Sequence, residues 1–219
     1  MSTSNPVFAP VYKRVAASME RRGGDTHRWR LLAGLAGRVV EVGAGHGINL
    51  PYYPDTVTEV VAIEPERRLR ADAELAAAQV PLAVEVRPGT AERLPLDDDS
   101  VDAAVVSLVL CSVVDPVAAA AELARVVRPG GHLRFYEHVR SRDPRRARLQ
   151  RRVDRIWPHV AGGCRTSRDT LATLAAAGFV PEEVDRFRFP PGRLFVPTSP
   201  HVLGRARLPG VPATRAGGS

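Results

Sequence analysis

The chain has 219 residues, 44% of them apolar and 25% charged, which suits one hydrophobic core and excludes two ordinary domains. Nowhere do about 18 consecutive apolar residues occur, so no membrane span is expected; the start, MSTSNPVFAPVYKR, lacks the order of a secretory signal, and the cytoplasm is the expected compartment. The net charge of +7 rests almost wholly on arginine, Lys13 being the one lysine, and such a surface attracts nucleic acid or anionic lipid without specificity.

Residues 1–25 read as an N-terminal lid segment. From there residues 26–36 place Trp29, Leu32, Ala33 and Ala36 at helical spacing, with Asp25 as the expected N-cap. Strand RVVEV (38–42) runs into a glycine turn and a short helix. Strand EVVAIE (59–64) precedes an Ala-rich helix over 66–78, and strand AVEVRP (83–88) follows. Strand VDAAVVSLVL (101–110) leads to a helix over 116–127 that ArgProGlyGly stops, and HLRFYEHV (132–139) is the fifth strand. Strands separated by single helices imply a parallel sheet with right-handed crossovers and helices on both faces.

The stretch SRDPRRARLQRRVDRIWP (141–158) predicts an amphipathic helical insertion. Asp143 caps it, Pro144 takes its first position, and Leu149, Val153, Ile156 and Trp157 share one face opposite the arginines. Placed after the fifth strand, it is positioned to lid a pocket. A helix over 168–177 has Thr166 and Asp169 in capping-box spacing and Gly178 as its stop. Strands 184–189 and 200–206, linked through prolines, predict a hairpin with the last strand antiparallel, while residues 207–219 read as a disordered tail. The predicted fold is therefore α/β: a doubly wound, mostly parallel, seven-stranded sheet with an antiparallel last strand and a helical lid over residues 26–206.

The turn in VVEVGAGHGINLPYY (39–53) decides the ligand class. A dinucleotide fingerprint needs G-x-G-x-x-G so that a pyrophosphate rests on a helix N-terminus. Here the glycines are Gly43, Gly45 and Gly47, with Ile48 where the third should stand, which disfavours NAD. An acid, Glu41, sits inside the end of the first strand, placed to accept bonds from an ammonium group or to fix the loop. Glu64 ends the second strand, where a carboxylate accepts bonds from both ribose hydroxyls. The cofactor expected is a cationic or zwitterionic nucleoside.

Five segments in order resemble the class I S-adenosylmethionine-dependent methyltransferases: EVGAGHG, IEP, GTAERLPLDDDSVDAAV (89–105), SLVLCSV (107–113) and RVVRPGGHLRFYEHV (125–139). The resemblance implies that S-adenosylmethionine is the cofactor and S-adenosylhomocysteine the product. It implies that Gly43, Ala44 and Gly45 approach the methionine part, with Glu41, Gly47 and Pro65 among the cofactor-binding residues. Glu64, beside Pro65, would meet the ribose, Thr90, Ala91 and Glu92 the adenine, and Leu108 and Val109 the sulfonium side. Thr90 departs from the family's usual aspartate, and its hydroxyl still accepts one bond.

Two subfamilies compete for the acceptor. FAPVYKRVAASMERRG (8–23), with Tyr12, is similar to the lid of quinone C-methyltransferases. LVLCSV, FYEHV, GGCRTSRDT (162–170) and the PHVLG strand resemble the small thiol S-methyltransferases of the methyltransferase-like group. A small-molecule thiol is the leading acceptor, with a quinol or phenol as the alternative. A nucleic-acid methyltransferase is disfavoured because N/D-P-P-Y/F is missing where LeuCysSerVal stands, and a noncatalytic cofactor-binding module is the remaining alternative.

Methyl transfer from a sulfonium needs chiefly an acceptor held in line, and a thiol is already partly ionised near neutral pH. His138, ending the fifth strand, is placed to raise the thiolate fraction, with Glu137 beside it; strand alternation lets at most one of them face the pocket. Tyr12, Cys111, Trp157 and Cys164 are the candidate acceptor contacts. Cys111 and Cys164 lack ligand-type spacing, so no disulfide and no metal site is expected. The oligomeric state has no sequence signature.

Overall fold

The computed structural model describes residues 8–192 and 195–210; the side chains of Phe8, Ala9, Val11, Tyr12 and Val15, and most of the expected tail, lie outside that description. Seven strands form one sheet in the order β3-β2-β1-β4-β5-β7-β6: β1 (Gly37–Val42), β2 (Val57–Ile63), β3 (Ala83–Arg87), β4 (Val101–Ser107), β5 (Val127–His138), β6 (Val180–Arg188) and β7 (Pro200–Arg207). The first five pair in parallel, and β7 runs antiparallel between β5 and β6. This is the expected doubly wound sheet. The winding goes outward from β1 to β3, then restarts at β4 on the other side of β1. Ligands of such sheets bind where the order reverses, outside the C-terminal strand ends.

The central strands are apolar on both sides because helices cover both faces. Val40, Val42, Val61, Ile63, Ala104, Val106 and Phe135 pack with α4 (Pro116–Val126) and α7 (Thr170–Ala176). The alternate residues Val39, Val60, Ala62, Ala103, Val105 and Tyr136 pack with α2 (Asp25–Leu32) and the end of α3 (Arg67–Ala77). Side chains alternate along β5, so Tyr136 shares a face with His138, while Phe135 and Glu137 point the other way.

Several expectations at element ends are corrected. α1 (Phe8–Met19) continues through a π turn (Glu20–Gly24) directly into α2, so Asp25 makes no side-chain cap. Of the predicted α2 face Leu32 is buried but Trp29 is 58% exposed, and Arg28 and Leu31 turn inward instead. Pairing in β5 begins at Val127, through the ArgProGlyGly stop. Residues 207 and 208 belong to the sheet edge, where Leu208 N–H donates to the Gly131 carbonyl at 2.9 Å.

The insertion is the largest correction. α5 (Pro144–Val153) starts as expected, with Asp143 accepting from the Arg145 and Arg146 amides and Pro144 in the first turn. It then breaks before a short α6 (Trp157–Val160). Leu149 and Ile156, the supposed apolar face, are 43% and 71% exposed, whereas Ala147 and Gln150 are buried. Polar anchoring decides this. The Gln150 carboxamide donates to the Thr166 and Pro197 carbonyls at 2.8 and 2.9 Å and accepts from Ser141 N–H at 2.8 Å. Asp154 accepts from the amides and hydroxyls of Thr166 and Ser167. Thr166 is thereby committed, and Asp169 alone caps α7. A buried polar group with all its bonds made costs little, so these anchors outweigh an apolar stripe.

Candidate active site

The turn after β1 is built from its acids. Glu41, buried, accepts from Asn49 Nδ2 at 2.6 Å and the Tyr53 hydroxyl at 2.9 Å. Asn49 Oδ1 accepts from Arg28 Nη1 at 2.5 Å, and Arg28 Nε donates to Glu20 at 2.9 Å. Burial pushes the Glu41 carboxyl above its ordinary range, with the Tyr53 and Asn49 bonds opposing. Through these bonds Glu41 fixes the loop and, by way of Asn49 and Arg28, ties it to the N-terminal helices.

Gly43 lies at φ +70°, and a Cβ there would sit 2.5 Å from Val109 Cγ2. The close approach of the turn to the segment after β4 therefore requires glycine. Gly47 packs against α3, because a Cβ there would meet Ala76 Cβ at 2.8 Å. Gly43 and Ala44 give their amides to the Ile63 carbonyl at 2.8 and 3.1 Å. Glu64 then accepts from Gly45 N–H and Glu66 N–H, both at 2.8 Å, across Pro65. Burial raises its carboxyl to about 7. A carboxylate has about four lone-pair sites, so two remain for vicinal hydroxyls. A nucleoside with a free ribose fits this donor set.

The adenine end is less direct. Ala91 is buried and Thr90 pairs with Arg93 in a short bridge. Glu92 accepts from Val114 N–H at 2.9 Å, so its carboxylate ties down the segment after β4. That segment is clamped three more times. Leu108 takes a left-handed φ of +59° and donates its N–H to the Tyr136 carbonyl at 2.7 Å. Glu137, fully buried, accepts from the amides of Val109, Leu110 and Cys111 at 2.8, 2.9 and 3.1 Å. Arg168 donates to the Leu110 and Val113 carbonyls. Burial raises Glu137 to about 7 against those three amide bonds. Glu137 is thus a positioning residue, correcting its expected catalytic part: its oxygens hold the loop and do not reach the cleft.

On the acceptor side, residues distant in the chain converge. His138 Nδ1 lies 3.3 Å from Cys164 Sγ. Arg165 N–H donates to the Cys111 carbonyl at 2.7 Å, and a Cβ on Gly163 would meet the Ser112 carbonyl at 2.7 Å. The GlyGlyCys loop therefore lies directly on the loop after β4. Cys111 and Cys164, separated in sequence, meet here as buried free thiols. Cys111 is pushed up by its hydrogen bond with Cys164 and by burial. Cys164 is drawn toward thiolate by Cys111 against its own burial, with help from His138 and the neighbouring Trp157 indole.

Next to His138 lies an aromatic cluster. His201 meets its ring edge-on at 4.7 Å and stacks on Tyr136 at 5.2 Å; His27 stacks on Phe187 at 4.5 Å and meets Phe189 at 4.8 Å. Burial pushes His201 down to about 3, so it is neutral. Among the described residues, the buried Tyr136 hydroxyl, His27 Nδ1 and His201 Nε2 have no hydrogen-bond partner. These three polar atoms are thus buried without a partner inside a cluster of aromatic and imidazole rings. Tyr136 and His201 lie inside the quoted segments FYEHV and PHVLG, and Arg168 inside GGCRTSRDT, but sequence reasoning gave none of them a role. Tyr136 is recoverable from its two-residue spacing to His138.

The methyltransferase domain family matches residues 40–135. The human thiol S-methyltransferase TMT1B is 36% identical over 183 residues, 80% of this chain and 73% of its own. The chain belongs to the S-adenosylmethionine-dependent methyltransferases. A demethylmenaquinone methyltransferase from Renibacterium salmoninarum is 35% identical over 123 residues, 50% of this chain and 47% of its own. A Thermotoga maritima structure, described as a SAM-dependent methyltransferase and possible histamine N-methyltransferase, superposes with a TM-score of 0.67 at 25% identity, covering 91% of this chain and 95% of its own. Among the described residues, no helix is long and apolar enough to cross a membrane.

Proposed function

We propose that the enzyme methylates the sulfur of a small-molecule thiol, leaving S-adenosylhomocysteine. The observation that carries this reading is the half-buried His138 imidazole, bordered by Cys164 and opening on the apolar cage of Tyr136, His201 and Phe187. When bound, the cofactor supplies a methyl already activated by its sulfonium. Glu64 would hold the ribose, Ala44 and Gly45 would face the methionine part, Ala91 would meet the adenine, and Leu108 and Val109 would line the approach of the methyl. The chain's remaining task is to hold a sulfur in line and favour its thiolate, which an imidazole at the cage edge does. Tyr12 and Trp157, from the N-terminal segment and the insertion, would close over it. The similarity to TMT1B across most of the chain supports the same acceptor class.

The two buried free cysteines suit a reducing compartment, and we place the enzyme in the cytoplasm. A second reading, transfer to a quinol or phenol, draws on the shorter similarity to the menaquinone enzyme and on the Tyr136 hydroxyl. Following S-adenosylhomocysteine formation over aliphatic thiols, aryl thiols, quinols and phenols separates the two. Turnover on thiols is expected. Turnover on quinols or phenols with none on thiols would overturn the thiol reading.

A further inference from the structure

Three soft or borderline donors converge where the loop after β4, the end of β5 and the loop after α6 meet. The thiol sulfurs of Cys111 and Cys164 and one His138 ring nitrogen all lie within 4.8 Å of one another, and the His138–Cys164 pair is at 3.3 Å. Zinc bonds of about 2.3 Å to sulfur and about 2.0 Å to nitrogen set tetrahedral donors roughly 3.6 Å apart. Only small side-chain rotations separate the present arrangement from that geometry. We propose that Cys111, His138 and Cys164 form a site for a thiophilic divalent cation, zinc by its donor set, with the fourth position left for the acceptor sulfur.

The backbone around each donor is held in place. Glu137 and the Arg165 amide bracket Cys111, whose carbonyl the latter engages. β5 and β7 pair His138 with His201, whose ring also packs on it. The GlyGly turn before Cys164 packs Gly163 against the Ser112 carbonyl. Rigid presentation from three separate elements is what a metal site needs and what a casual pair of core cysteines lacks. Three protein ligands with one open position is the pattern of catalytic zinc, and two thiolates with one imidazole is among its known donor sets.

The proposal rests on the thiol reading for what fills the fourth position. On coordination the acceptor thiol releases its proton to solvent and binds as thiolate. Its sulfur then forms the bond to the methyl carbon as the carbon–sulfonium bond breaks, and that electron pair stays on the departing thioether. The neutral methyl thioether leaves the metal. His138 acts here as a ligand, and the cation takes over stabilisation of the thiolate.

The test is cobalt substitution of the full chain, stripped with a chelator under a phosphine reductant. One equivalent of Co2+ should bind with thiolate charge-transfer bands and the intense visible bands of a tetrahedral site. Cys111→Ser and Cys164→Ser should each weaken binding at least about tenfold, and His201→Phe should not, with circular dichroism confirming folded protein. Addition of an alkyl thiol should shift the visible bands. The wild-type spectrum decides without any variant: no such bands at excess Co2+ would overturn the site. Bands that persist in both cysteine variants would do the same, and bands that thiol leaves unchanged would overturn the role in acceptor binding. Full thiol turnover by the metal-free protein would overturn the inference while the thiol reading stands. Absence of thiol turnover from both metal-free and zinc-loaded protein would sink the thiol reading itself.

Discussion

The donor and acceptor halves of the cleft are constructed differently. Around the cofactor turn, every acid bonds to a nearby group: Glu41 to Asn49 and Tyr53, Glu64 to Gly45 and Glu66. Around the acceptor cage, buried polar atoms of Tyr136, His27 and His201 are unpaired among the described residues, and the reactive side chains come from remote elements. The cofactor turn is thus tied together by residues close in sequence, while the acceptor side gathers its groups from remote elements. Glu137 joins the halves, since it faces away from the cage yet holds the loop that borders both.

That joint gives the largest expected effect. Glu137→Ala would strand three buried amides, each costing about 1–3 kcal/mol, so denaturant unfolding should show a loss of about 3 kcal/mol or more. A loss below about 1 kcal/mol would mean that the loop's other ties, through Arg168, Glu92, Leu108 and Arg165, hold it without Glu137. On the donor side, Glu64→Ala should weaken S-adenosylmethionine binding by about tenfold or more, roughly 1.4 kcal/mol, measured by calorimetry. Unchanged affinity would remove the ribose assignment.

The same carboxyl makes the donor half pH-sensitive. Its pKa is raised from 4.5 to about 7 in the folded protein. The folded state therefore binds a proton that the unfolded state releases between those values, and this group's contribution to stability falls as pH rises through that window. Cofactor binding favours the carboxylate, so affinity should rise about tenfold between pH 6 and 8, a size set by titration near 7. Calorimetry across that range would refute the assignment if affinity were flat in the native enzyme. The smallest effect belongs to the acceptor half. Tyr136→Phe removes an unpaired buried hydroxyl and should leave stability unchanged or raise it by about 1 kcal/mol, while the KM for acceptor rises and that for cofactor does not. A stability loss would show that the hydroxyl already has a partner.

The contrast also explains what the sequence revealed. The sheet was legible because each parallel strand is a short apolar run between glycine turns and amphipathic helices, and the donor site was legible because its partners lie within one turn of each other. The acceptor side was not. Cys111 and Cys164 carry no spacing signal, because a loop after β4 and a loop after α6 meet only through the tertiary fold. Gln150 and Asp154 lie outside the apolar stripe on which the lid helix was predicted, yet their satisfied hydrogen bonds bury one and anchor both, leaving Leu149 and Ile156 outside. Periodicity reports where apolar groups could go inward; it is blind to a polar side chain whose partners arrive from elsewhere.

Isotope transfer tests the thiol assignment most directly. The enzyme would be incubated with cofactor carrying a trideuterated methyl and equal concentrations of an alkyl thiol and a quinol, and the products weighed by mass spectrometry. The label should appear on sulfur as the deuterated methyl thioether, with the quinol unmodified. Label on quinol carbon or oxygen, with the thiol recovered unchanged, would contradict the account.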